Sequence, residues 1–241
     1  MEVSADMRRP VAVIAILVAF VTGACITERP AAEGSTPADV SMKGTPQAIS
    51  SGEVELKAGT YIFDNSVLGL PGKPFPNVVV TVPDGWSSFG YGVRRYLDTQ
   101  RYLAVSLWTV GDVYANGCHW LGPKIHPGPT VDDLAAVLAA RPLRKATTPV
   151  AVSLGGHHGK YLEWSVPVDI SFSDCDGASF RSWTAENGGD RYQQGPGQVD
   201  RLWILDIEGR RLVIDVTYMP AASDLDKAEL EKVVDSIAFK R

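Results

Sequence analysis

The most regular stretch of the chain is Arg201–Met219, RLWILDIEGRRLVIDVTYM. In its second half Leu212, Ile214, Val216 and Tyr218 share one side of an extended backbone, while Arg211, Asp215 and Thr217 point the other way. Alternation with period two predicts a strand, and Glu208-Gly209 supplies the turn of a hairpin. Other stretches read the same way. Gly59–Phe63 is short. Asn77–Val82 is β-branched and stops at the turn signal Pro83-Asp84-Gly85, and Tyr102–Val110 sets Leu103, Val105 and Leu107 against Ala104, Ser106 and Trp108. Val150–Leu154 and Tyr161–Val166 flank a turn written GGHHGK, and Ile237–Lys240 closes the chain as a last short strand. Two segments change to a helical period. Thr130 with Asp133 forms a capping box ahead of Val131, Leu134, Ala135 and Leu138, and Pro142 ends that helix. Ser223 with Asp226 opens the second, where Leu230, Val233, Val234 and Ile237 recur at i, i+3, i+4 and i+7. The acids Asp224 and Asp226 suit its N-terminal dipole. These elements predict an α+β fold: a twisted antiparallel β-sheet, the hairpin at its centre, with two main amphipathic helices packed on it.

The N-terminal pattern is different. Arg8 and Arg9 precede an unbroken apolar run, Val11–Val21, and the small residues Thr22-Gly23-Ala24 lead to Cys25. The run is shorter than the ~20 residues of a spanning helix and has the layout of a secretory signal peptide. A cysteine directly after small residues resembles a bacterial lipobox. That resemblance implies a diacylated Cys25 and a chain held to the membrane by its N-terminal lipid, facing the extracytoplasmic side. Ordinary cleavage nearby and an uncleaved anchor are the alternatives. Ile26–Gly52 is rich in Pro, Ala, Ser, Thr and Gly without apolar periodicity, which predicts a flexible tether reaching roughly 30 Å. The organisation expected is a lipoprotein-type signal peptide at 1–25, a tether at 26–53 and one α+β domain at 54–241.

Charge narrows the function. With 23 Lys+Arg against 28 Asp+Glu and a net charge of −5, no basic stripe offsets phosphate repulsion, so a nucleic-acid partner is not expected. Setting Cys25 aside leaves Cys118 and Cys175, an even pair in a disulfide-permitting compartment, expected to bond to each other.

VPDGW at Val82–Trp86 ends an early strand, and the terminal helix leads into VVDSIAF at Val233–Phe239. In these motifs the chain resembles PsbP-like and LpqN-type extracytoplasmic α+β domains and uncharacterised bacterial lipoproteins of that plan. The resemblance implies the fold more than an activity, since related domains serve as non-enzymatic accessory or binding proteins.

Catalytic motifs give little. Phe89 stands where a G-x-S-x-G elbow needs its last Gly, Tyr161 follows Gly159-Lys160 where a phosphate loop needs Ser or Thr, and H-E-x-x-H does not occur. His157-His158 reads as a polar turn whose side chains point apart. The two long stretches without periodicity in the domain, about Ala115–Pro129 and Ser173–Asp200, are opened by Cys118 and Cys175, so a disulfide would pin both to one end of the sheet. They carry His119, Trp120, Arg181, Trp183, Arg191, Tyr192, Gln193 and Gln194, the expected ligand- or partner-binding residues, because aromatic rings beside Arg and Gln stack on and hydrogen-bond a sugar, a peptide or a protein. Trp86, Trp108, Trp164 and Trp203 are expected in the core. No catalytic residue, metal ion or cofactor is assigned. The expected function is a membrane-anchored, non-enzymatic binding or accessory protein taking an unknown small molecule or envelope protein. The alternative is a cell-envelope hydrolase with a site around His119 and Asp174/Asp176.

Overall fold

The computed structural model describes residues 45–49, 52–63, 75–98 and 100–240. The signal-like segment, Cys25 and most of the tether lie outside them, and residues 42–241 form one compact unit. Strands run in chain order as β1 (Gln47–Ala48), β2 (Glu53–Leu56), β3 (Gly59–Phe63), β4 (Asn77–Val82), β5 (Trp86–Phe89), β6 (Gly92–Tyr96), β7 (Tyr102–Trp108), β8 (Val110–Tyr114) and β9 (Lys124–Ile125). After helix α1 (Val131–Ala139) come β10 (Lys145–Ala146), β11 (Val150–Leu154), β12 (His157–Ser165), β13 (Arg181–Ala185), β14 (Asp190–Tyr192), β15 (Val199–Ile207) and β16 (Arg210–Tyr218). Helix α2 (Asp224–Asp235) and β17 (Ala238–Lys240) complete an α+β arrangement in which the described residues hold more strand than helix.

The expected central hairpin is β15–β16. Its nine pairs run from Val199 opposite Tyr218 to Ile207 opposite Arg210. Glu208 and Gly209 both take positive φ, 56° and 82°, the two-residue turn that matches strand twist. The hairpin sits in the middle of a large sheet ordered β10-β12-β15-β16-β7-β6-β5-β2, with β11 also beside β12. Where one sheet was expected, the described residues form three. β1-β3-β4-β17 form a second, and β14-β13-β8-β9 a third. The third arises because the chain continues from β7 through Thr109 into β8, leaving the large sheet to pair with β13 instead.

Both faces of the large sheet are therefore covered. On one, Leu212, Ile214 and Val216 pack with Trp86, Trp203, the β3–β4 layer and Leu230, Val233, Val234 of α2. On the other, Leu202, Ile204 and Val213 pack with Trp108, Trp164, Trp183 and Leu134, Ala135, Leu138 of α1. The capping boxes at Thr130–Asp133 and Ser223–Asp226 are formed on both sides of the reciprocal exchange.

The structure redraws three boundaries. Gln47–Ala48, placed in the tether, pair with Tyr61–Ile62, and Ile49 is buried because its side chain reaches the first core. His157 and His158 belong to strand β12 rather than to a turn, since Gly155-Gly156 alone close the β11–β12 hairpin with positive φ at both positions. The stretches lacking periodicity contain β9, β13 and β14, too short or too irregular to show a pattern.

Candidate functional site

Cys118 and Cys175 are bonded, with Cα atoms 4.5 Å apart, and pack with Val166 and Phe180. Trp120 lies across this staple. Its indole N–H donates to the carbonyls of Asp176 (2.5 Å) and Ser179 (3.2 Å), while the Asp176 carboxylate accepts from the Leu121 N–H at 2.9 Å. A Cβ on Gly177 would stand 3.1 Å from the Trp120 ring, so that close approach, at φ +55°, calls for glycine. Over the ring the Arg181 guanidinium carbon sits 3.3 Å from the centroid, and it lies 4.7 Å from the Tyr192 centroid. Arg181 is thus stacked between two aromatics.

Asp190 completes the arrangement. One carboxylate oxygen accepts from Arg181 Nη1, and the other from the Tyr114 hydroxyl at 2.6 Å. Burial and that carboxylate push the Tyr114 phenol up to about 12. Together Tyr114, Trp120, Leu121, Lys124, Arg181 and Asp190 line an open groove of about 560 Å³ on the third sheet. Leu121 is 75% exposed at its rim, and Lys124 holds its ammonium 5.1 Å from the Tyr114 ring centroid. The groove is an aromatic floor with one cation at the edge and one fixed ion pair in the wall.

Two adjoining hollows of about 490 and 370 Å³ lie at the tip of the β15–β16 hairpin. Their bases are already engaged: Lys160 pairs with Asp132 at 3.0 Å and Arg211 donates to the Gly128 carbonyl. They bring no aromatic pair together, and the groove is the better candidate.

The expected binding residues divide. Trp120 and Arg181 line the groove, Tyr192 is exposed beside it, and Gln194 is exposed with its backbone N–H donating to the Gln198 side chain. His119 is exposed, its Nδ1 3.7 Å from Asp176, and His126 pairs separately with Asp112 at 3.0 Å. Among the described residues no three His, Cys, Asp or Glu side chains gather as a metal site. Trp183, Arg191 and Gln193 are corrected. Trp183 is fully buried between Trp108 and Trp164, with centroids 6.0 and 5.8 Å away. The Gln193 amide donates inward to Ser182 at 2.7 Å. Arg191 turns into the core because its charge is answered there.

That answer is a buried cluster. Arg191 donates to Asp215 (2.5 Å), Asp200 (3.0 Å) and Thr217 (2.7 Å), and to the Tyr192 carbonyl. Asp200 also accepts from Trp164 (2.9 Å) and Gln198 (2.6 Å). Arg144 comes within 4.0 Å of Asp200, stacks over Trp164 and donates to Ser182 at 2.6 Å. Burial pushes Asp215 up to about 6 against the pull of Arg191, and pushes Arg144 down to about 10. For Arg191 burial works downward, but Asp215 and Asp200 outweigh it and the guanidinium is held above its ordinary value. The sequence reading missed this cluster and also Tyr114, Lys124 and Asp190. The signal within reach was Asp215 and Thr217, polar positions on the strand face that also carries Val213.

Two solved structures show a likeness to the chain. The chain is similar to LpqN. That structure, described as involved in cell envelope biogenesis of Mycobacterium tuberculosis, shares 13% identity at TM-score 0.39 over 78% of this chain and 91% of LpqN. Cyanobacterial PsbP (CyanoP) from Synechocystis matches at 14% identity and TM-score 0.35, over 79% of this chain and 97% of that one. These are the two types named by the resemblance in VPDGW and VVDSIAF. No protein-family model matches, and no curated protein does.

Proposed function

We propose that the chain is a membrane-anchored extracytoplasmic lipoprotein that captures a small molecule, or a short segment of an envelope protein, in the Tyr114–Trp120–Arg181 groove without transforming it. The observation that carries this reading is the groove itself. Its volume of about 560 Å³ falls within the few-hundred to ~1,000 Å³ range of ligand sites, and its lining mixes the Trp120 and Tyr114 rings and Leu121 with the polar groups of Lys124, Arg181, Thr184 and Asp190. The anchor and tether rest on the Arg8–Cys25 pattern and on the composition of Ile26–Gly52. The scaffold is taken as twisted antiparallel sheet with two amphipathic helices, of which α1 packs with Val110, Val113 and Trp183 of the groove's strands while α2 covers the opposite face of the large sheet.

The test is native mass spectrometry of the full-length chain extracted from its membrane. A bound mass is expected with the unaltered chain and is lost in Leu121→Ala/Lys124→Ala. That double variant touches only the rim, so its unfolding free energy stays within the about ±0.5 kcal/mol per substitution typical of surface changes. A bound mass that survives both substitutions puts the site elsewhere. Turnover that a chelator abolishes would replace this reading with the hydrolase alternative around His119 and Asp174/Asp176.

A further inference from the structure

Strand β14 is three residues long and lies at the end of the third sheet, paired on one side with β13 through an irregular register. Its side chains alternate. Asp190 and Tyr192 face outward and hold Arg181, whereas Arg191 between them passes into the core and ends on two carboxylates. So short an edge strand has few ladder bonds of its own, and the ion pairs of its middle residue fix where its neighbours stand.

We propose that Arg191 is the positioning residue of the groove, and that its bond to Asp215 makes the placement of Asp190 and Tyr192 sensitive to acid. The inference rests on the groove reading, because those two residues form part of its wall and margin. The charged groups around Asp215 come from every layer packed on it: Asp200 from β15, Arg191 from β14 and Arg144 from the segment between α1 and β10. Tyr102 of β7, Tyr91 before β6 and Arg94 of β6 complete the surroundings. With both carboxylates ionised, two guanidiniums face two carboxylates and the cluster is neutral. Protonation of Asp215 leaves two guanidiniums facing one carboxylate in the interior, which favours outward movement of Arg191 and its strand. Burial places that protonation at about 6, within reach of an ordinary acidic environment.

Amide hydrogen exchange of the full chain tests this without any ligand, so failure of the binding reading and failure of this one are distinguishable. After correction for intrinsic rates, protection at 190–192 is expected to fall about tenfold between about pH 7.5 and about pH 5, while β15 and β16 keep theirs. Asp215→Asn should show the low protection at both pH values, and Arg191→Lys should restore part of what Arg191→Ala loses. Protection at 190–192 that ignores pH, or that falls only together with β15 and β16, overturns the proposal. The unaltered chain alone decides it should Asp215→Asn not fold.

Discussion

At the residue scale, exposure separates two tryptophans that the sequence treats alike. Trp120 and Trp183 both stand in stretches without a clear period, yet one borders a groove and the other has 0% exposure in the second core. Trp183→Ala is expected to cost about 3–5 kcal/mol, as for other large buried aromatics, measured as a drop in chemical or thermal midpoint. It says nothing about binding. The same ambiguity hid Asp215 and Thr217. On a strand with polar alternate positions the ordinary reading is a solvated face, and nothing local reveals that Arg191, 24 positions earlier, folds over it. What was legible at this scale was whatever depends on near neighbours. Thr130 with Asp133 and Ser223 with Asp226 are local hydrogen-bond exchanges, and both form as read. Gly155-Gly156 shows the limit. The hairpin was legible, but its turn was drawn too wide because His157-His158-Gly159 looks unlike a strand.

Among the elements, the disulfide is the one that organises the site. It joins residues 57 apart and holds the Asp176–Ser179 carbonyls where Trp120 needs them. In the chain-entropy model a loop of that length is worth about 4 kcal/mol. Cys118→Ser/Cys175→Ser should therefore lower the unfolding free energy by about that amount, read from denaturant melts. Because Trp120 loses its frame, its fluorescence should become more open to an aqueous quencher while the buried tryptophans stay shielded. Cysteine parity and compartment made this pair legible from composition. The third sheet was not, because β9 and β14 are two and three residues long and their pairing with distant strands carries no local period. A groove built between such strands has no one-dimensional signature. Trp120, Arg181 and Tyr192 were found through the cysteines, and Tyr114, Lys124 and Asp190 were lost with the strands that carry them.

For the whole molecule, covering both faces of one large sheet decides how stability follows pH. Asp215 has its folded value raised to about 6 from the ordinary 3.8, so the native state takes up this proton before the unfolded chain does. Its ionised form therefore works against the fold above about 6, and that penalty is relieved as pH falls toward the ordinary value. The surface acids act oppositely. Hydrogen bonds from Thr130 lower Asp133, and those from Ser223 lower Asp226 against the upward effect of its slight burial. Their contribution is present above the ordinary carboxylate value and is lost as pH falls below it through the lowered folded value. Calorimetry should find a thermal midpoint that holds or rises from about pH 7 to about pH 5 and declines below about pH 4. A midpoint declining steadily from neutrality would contradict this assignment of Asp215. The arrangement of β14 also bears on engineering. Its outer side chains belong to the groove and its middle one to the interior, so the rim cannot be transplanted as a surface patch. A host scaffold given Tyr114, Trp120, Arg181, Asp190 and Tyr192 would inherit the shape only if it also received Arg191, Asp200 and Asp215. A randomised library confined to exposed positions would leave unsampled the buried carboxylates that hold the strand bearing Asp190 and Tyr192.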